Sequence, residues 1–206
     1  MKKRIALLIA VLAVAAITVA SFAGCSSTPT QRLLLDSRPW ENMDVEEYFV
    51  YDVEYAPKET DAVKGTYTVA VKGYDHGEKL SLDGFSYNEP CYHIRSELDL
   101  ENGDYVYTDS VVTPDIKPVY GAEEKLDHGT RTSYTARYAD EKCTFSYTEN
   151  TQTYEGSIDV GKFDSSAYID NTFLYQLVRC LPDVASGLSF SVPNFIQGSK
   201  ESVTVS

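Results

Sequence analysis

Tryptophan, methionine and histidine are scarce in this chain, with one, two and three residues respectively among 206. His76, His93 and His128 are scattered; two sit beside turn glycines and one on a polar strand pattern, so they read as exposed residues rather than proton shuttles. The four cysteines form no CxxC pair and have no histidine at ligand spacing, which argues against a zinc site or a thiol redox motif. There is no G-x-S-x-G elbow and no glycine-rich phosphate loop. Basic residues are also short, 18 Lys and Arg against 31 Asp and Glu. Three of those bases and none of the acids lie in residues 1–24, so the remainder carries a net charge of −16. Such a surface repels nucleic acid and anionic headgroups and is compatible with simple solubility. Nothing among the 31 acids marks a pair at glycosidase separation. The run Asp99–Asp104 resembles a calcium loop only superficially, because its glycine is fifth rather than sixth and no Glu stands twelfth; a hairpin explains it. The expectation is a noncatalytic protein without metal or cofactor.

What is present begins with the N-terminus. Lys2, Lys3 and Arg4 precede an apolar run of 16 residues, Ile5–Ala20, and then Ser21-Phe22-Ala23-Gly24-Cys25. A span needs about 20 apolar residues, so this reads as a secretory leader. Its ending resembles the lipobox of bacterial lipoproteins, with Phe22 where Leu is usual. The resemblance implies cleavage after Gly24, lipidation of Cys25, and attachment to the extracytoplasmic face of a cell membrane, periplasmic if an outer membrane exists. An ordinary cleaved signal and an uncleaved N-terminal anchor are the readings that compete with lipidation. One acyl chain holds a membrane only reversibly; the diacylglycerol plus amide-linked chain that the resemblance implies would hold it stably. Residues 1–24 are thus the signal peptide, 25–44 a Ser-, Thr- and Pro-containing tether, and 45–206 one domain large enough for a core.

Sixteen tyrosines suit a half-buried pleated surface. Phe49, Tyr51, Val53 and Tyr55 share one parity, though Tyr48 and Val50 make the other side semi-apolar. Tyr67, Val69 and Val71 alternate with polar neighbours. In 91–101, Tyr92, Ile94, Leu98 and Leu100 oppose His93, Arg95, Glu97, Asp99 and Glu101. Period-two patterning predicts antiparallel sheet. Asp75-His76-Gly77, Asp83-Gly84, Asn102-Gly103 and His128-Gly129 supply turn chemistry, Asn102-Gly103 giving the clearest hairpin. Further strands are expected near 132–139, 142–149, 152–160, 187–193 and 201–206. No βαβ rhythm occurs, so a parallel sheet is excluded. One segment differs: in Asp170–Leu181 the apolar residues Phe173, Leu174, Leu177, Val178 and Leu181 form a helical stripe, with Asp170 as N-cap and Pro182 as stop. The expected fold is mainly β, a curved antiparallel half-barrel of about ten strands packed on that one amphipathic helix.

The stretch Tyr168-Ile169-Asp170-Asn171, the helix with Arg179, Leu181-Pro182, Gly187 and Phe190-Ser191-Val192-Pro193 resembles an uncharacterised bacterial envelope family. Its architecture is similar to the LolA/LolB type of lipoprotein carrier, in which an apolar concave sheet face holds acyl chains. The resemblance implies half-barrel architecture and no catalytic residues; this chain departs from it by stopping soon after Val192. On that basis a hydrophobic ligand would line Tyr51, Val69, Tyr92, Leu98, Tyr107, Phe145 and Leu174, unless these simply make the core. Two alternatives stand beside it. One is an envelope scaffold using its acidic face or a last edge strand near Val203 and Val205. The other is a carbohydrate-binding module, weakened by the lone Trp40. Strand parity turns Cys143 to the core with Phe145 and Tyr147, and Cys91 outward with His93. A Cys143–Cys180 disulfide and three free thiols are both compatible with the sequence.

Overall fold

The computed structural model describes residues 40, 42–55, 62–160, 169–173 and 189–204. The leader, Cys25, most of the tether, Leu174, Cys180 and Val205 lie outside the described residues. Twelve strands follow one another: β1 (Glu46–Tyr55), β2 (Val63–Tyr74), β3 (Leu80–Leu82), β4 (Phe85–Tyr87), β5 (Cys91–Leu100), β6 (Tyr105–Val112), β7 (Pro118–Asp127), β8 (Thr130–Ala139), β9 (Lys142–Glu149), β10 (Gln152–Asp159), β11 (Ser189–Asn194) and β12 (Ser199–Thr204). Eight of them form one open antiparallel sheet in the order β1-β2-β5-β6-β7-β8-β9-β10. The hairpins β3–β4 and β11–β12 are separate two-stranded sheets.

Turn chemistry dictates the meander. Gly103 (φ 91°) closes β5–β6 where Asn102-Gly103 predicts it, with Asn102 Oδ1 accepting the Asp104 N–H at 3.1 Å. His128 (φ 49°) and Gly129 (φ 83°) are both left-handed, the backbone that a two-residue hairpin needs to follow strand twist. Asp140 and Glu141 close β8–β9 in the same conformation without a glycine.

Alternation then sorts the side chains onto two faces. On the front face, Val71, Ile94, Ser110, Gly121, Ala136, Phe145 and Gly156 lie across from one another along the register of successive strands. This face is covered by Trp40, Ile116, Ile169, Phe173, Val192 and Phe195. On the back face the β3–β4 hairpin covers Cys91, Val111, Val119 and Tyr120 with Leu80, and the Phe85 and Tyr120 rings stack at 4.3 Å. Arg137 donates from its guanidinium to the Gly84 carbonyl and lies 5.9 Å from the Phe85 ring, pinning the hairpin down. Each fully buried Val, Ile or Phe contributes about 1.5–3 kcal/mol.

Three expectations need correction. Cys91 has the outward parity expected of it, but that face is roofed by β3–β4 and the thiol is fully buried. The start of the predicted helix, Asn171–Phe173, is a single 3-10 turn closed by the Phe173 N–H on the Asp170 carbonyl, and residues 174–181 lie outside the described residues. Among the described residues there is no α-helix, and none long and apolar enough to cross a membrane. Finally, Val203 does not edge the main sheet: it pairs with Phe190 within β11–β12.

Candidate functional site

The described surface concentrates its exposed large apolar side chains on one strand. Along β1, Tyr48 is 70% exposed, Val50 55%, Tyr51 39% and Phe49 37%. β1 pairs with β2 over its whole length on one side, from Glu46↔Lys72 to Tyr55↔Val63. Among the described residues no strand pairs along its other side. Tyr48 and Val50 point to the back face; Phe49 and Tyr51 point to the front, where the Phe49, Tyr51 and Tyr67 rings follow one another at 6.3 and 6.2 Å. Sheet-edge backbone offers unsatisfied N–H and C=O groups, so a ten-residue edge that is apolar from Tyr48 to Tyr51 is a template for another strand. The sequence signal was the two-sided apolarity of Tyr48 through Tyr51, which a strand with one wet face does not need.

Beside that edge, on the back face, lies a groove of about 260 Å³ lined by Glu46, Tyr48, Lys72, Tyr74, His93 and Arg95. Its floor is ion-paired. Asp109 accepts from His93 Nε2 at 2.7 Å and from Arg95 at 3.2 and 3.1 Å. Burial works against the Asp109 charge, but the hydrogen bonds from His93 and Arg95 outweigh it and hold the carboxyl below its usual value. His93 and Arg95 lie on β5 and Asp109 on β6, so the trio ties these two neighbouring strands together in register.

A second polar cluster is buried. Asp170 is fully enclosed. Its Oδ1 accepts from the Tyr134 hydroxyl at 2.9 Å, the Thr172 N–H at 2.9 Å and the Thr172 hydroxyl at 2.7 Å, and its Oδ2 accepts from the Tyr138 hydroxyl. Asp170 thus caps the 3-10 turn Asn171–Phe173 rather than an α-helix, and it also latches onto β8. Gly121 makes room for it, since a Cβ there would stand 2.2 Å from Oδ1. Nothing local in the sequence links Asp170 to Tyr134 and Tyr138, which are more than 30 residues away. Beside it on β7, Glu123 is half-buried on the front face, and burial pushes its carboxyl up to about 7, with Asp170 reinforcing and Lys125 opposing the shift.

Of the residues singled out as ligand-lining, Val69, Tyr92 and Leu98 meet in one core cluster, whereas Phe145 belongs to a second. Val69 and Tyr92 are core, Tyr92 lying 4.7 Å from the Trp40 ring and donating to the Trp40 carbonyl at 3.4 Å. Phe145 is buried 4.9 Å from Phe195. Leu98 is half-buried at the border of the same core, and Tyr51 is exposed on the edge. Tyr107 is on the opposite face: it pairs across β5 with Glu97, not with the Tyr92–Ile94–Leu98 row. The reason is the Asn102-Gly103 turn, which puts even-numbered residues of β6 behind Leu98 and leaves Tyr107 outward, its hydroxyl donating to Asp99 at 2.6 Å. Leu174 and the lipidation candidate Cys25 lie outside the described residues.

Cys143 faces the core as its parity predicts and is a free thiol, as is Cys91. Cys180, its proposed disulfide partner, lies outside the described residues. Asp104, Asp127 and His128 bring three ligand-type atoms within 4.8 Å of one another. They are already engaged: His128 Nδ1 is 2.6 Å from Asp127, Lys125 Nζ is 2.7 Å from Asp127, and Asn102 donates to Asp104 at 2.8 Å. The His128 N–H donates to Asp104 Oδ1 at 3.0 Å, which ties the β5–β6 and β7–β8 turns together.

No protein-family model, no curated protein and no solved structure matches this chain.

Proposed function

We propose that this chain is a lipid-anchored, noncatalytic cell-envelope protein that engages an extended segment of another envelope protein by strand addition to β1. The observation that carries this reading is the run Tyr48–Tyr51, exposed on both faces of a strand paired on one side only among the described residues. Strand addition draws affinity from main-chain hydrogen bonds and selectivity from alternate side chains. The leader and Cys25 support the address: processed at that cysteine, the domain would stand on a tether at the outer side of a membrane.

A second reading follows the resemblance to LolA/LolB-type carriers. There the open sheet is a half-barrel, and a hydrophobic ligand sits on the concave face. The Phe49–Tyr51–Tyr67 ring succession favours it. Against it, Val69, Tyr92 and Phe145 are buried by the chain's own side chains.

A photo-crosslinking side chain at position 50, in cells making the full chain, tests the first reading. The expected result is a discrete adduct that disappears when Tyr48 is changed to Lys and that a crosslinker at Thr144 does not give. Equal adducts from both positions, or none from position 50, would refute edge recognition. Lipid extracted stoichiometrically from the purified protein would favour the carrier reading instead.

A further inference from the structure

Resting on the strand-addition reading, we infer that the occupant of the β1 edge is an extended segment alternating apolar and basic residues, with two cations about eight positions apart. β1 carries Glu46, Glu47, Asp52 and Glu54 and no basic residue. Glu46 and Glu54 lie on the back face at the two ends of the exposed pair Tyr48 and Val50. The neighbour already in place, β2, carries charges of opposite sign at the register positions across from these acids. Lys72 stands across from Glu46 and Lys64 across from Glu54, with Ala70 and Thr68 opposite Tyr48 and Val50. A strand entering from the open side meets the same β1 side chains, because residues on one face of a strand are shared by both neighbours.

The same charges argue against a second copy of this chain. Antiparallel self-pairing centred on Val50 puts Glu46 opposite Glu54, and Tyr48 opposite Asp52. Shifted by two towards the start of the strand, it puts Glu46 opposite Asp52 on the same face. Like charges directly opposite are destabilising. The far edge of the sheet, β10, offers Glu155 and Asp159 and no Lys or Arg, so head-to-tail stacking fares no better. A body of net charge −16 adds long-range repulsion between copies and attraction for a cationic segment.

The test uses three twelve-residue peptides added to the purified protein. The first copies Val63–Tyr74, the second replaces its two lysines with glutamate, and the third replaces them with glutamine. Binding is read by fluorescence anisotropy, and its location by amide hydrogen exchange along β1 and β2. The expected result is that the lysine peptide binds at least about tenfold more tightly than the glutamate one, with the glutamine one between. The preference should shrink in 0.5 M salt, roughly a 4 Å screening length, and β1 amides should gain protection while β2 amides keep theirs. Val50→Lys, a gatekeeper on the exposed back face, should abolish binding without altering the exchange of β5–β9. If all three peptides bind equally and Val50→Lys removes them all, the edge reading stands and the basic partner is wrong. If no peptide binds, or Val50→Lys changes nothing, the edge reading itself fails. A concentration-dependent dimer in sedimentation, lost in Val50→Lys, would overturn the inference in favour of a second copy.

Discussion

Replacing Asp170 by alanine should cost about 3–5 kcal/mol of folding stability, and the latch on the front face supplies the arithmetic. The carboxylate is fully buried and accepts four hydrogen bonds from three residues. Deleting it takes a buried acceptor from the Tyr134 and Tyr138 hydroxyls and the Thr172 N–H, at up to about 1–3 kcal/mol for each donor that finds no replacement. A water entering the vacated space would satisfy some of them, which keeps the sum below its upper limit. Removing the charge also relieves its desolvation, a term of several kcal/mol in the other direction. Tyr138→Phe removes one donor and leaves the carboxylate three bonds, so its loss should be smaller, about 1–3 kcal/mol. The single tryptophan reports the transition well. Trp40 is buried in the cluster that Ile169 and Phe173 complete, so urea unfolding followed by its fluorescence senses release of the 169–173 segment. In a double-mutant cycle the two changes should couple by at least about 0.5 kcal/mol, since they act on one network. Independent effects, or an Asp170→Ala loss below about 1 kcal/mol, would mean that apolar packing by Ile169 and Phe173 holds the segment without the carboxylate.

Two further outcomes follow from groups buried on the two faces. Burial, reinforced by Asp170 and opposed by Lys125, raises the Glu123 carboxyl to about 7, near the Tyr134 and Tyr147 rings. A carboxyl raised on folding favours the native state while protonated, so stability should fall as pH rises from about 4.5 towards 7. Glu123→Gln should flatten that limb and stabilise the protein at pH 8 by about 1–3 kcal/mol, read from urea melts across pH; an unchanged slope would refute the buried-acid account. Burial also pushes the Cys91 thiol up to about 11 and the Cys143 thiol to about 12. Both should resist iodoacetamide at pH 8 in the native protein and react fully in denaturant, by mass spectrometry of their peptides; fast native labelling of Cys91 would show that the β3–β4 roof opens.

Alternation made much of this fold legible. Tyr67, Val69 and Val71 face the core as their parity requires, and so do Tyr92, Ile94 and Cys143. The positive-φ glycines Gly77, Gly84, Gly103 and Gly129 stand where turn dipeptides mark them. Parity says which side a residue faces, but not what covers that side. Cys91 was assigned correctly to the back face and wrongly to solvent, because three-residue strands such as β3 and β4 carry too few positions to show a period. Tyr107, a candidate liner, stands on the face opposite Tyr92 and Leu98 because the four-residue connection holding Asn102-Gly103 sets the parity of everything after it. The Asp170 latch was invisible for a different reason. Two tyrosines four apart on a strand and an aspartate before a helical stripe each have an adequate local explanation, and only the packing of 169–173 across β7 and β8 joins them.

The exposed edge poses the sharper physical question, since a long apolar edge strand is a liability that proteins usually blunt with lysine, proline or a bulge. β1 has none of these, and its in-register pairing with β2 runs unbroken for ten residues. Its guard is instead the acids at the ends of the strand and the net charge of the body. An acidic guard is selective in a way that a lysine guard is not. On a body of net charge −16 it repels every other copy of the same protein, while leaving the backbone template open to a strand of opposite sign. Tethered at high local density on a membrane, a protein with a neutral edge would pair with its neighbours before meeting a partner. On the proposed reading, the placement of Glu46, Glu47, Asp52 and Glu54 around Tyr48–Tyr51 disfavours pairing between copies while still admitting a strand of opposite charge.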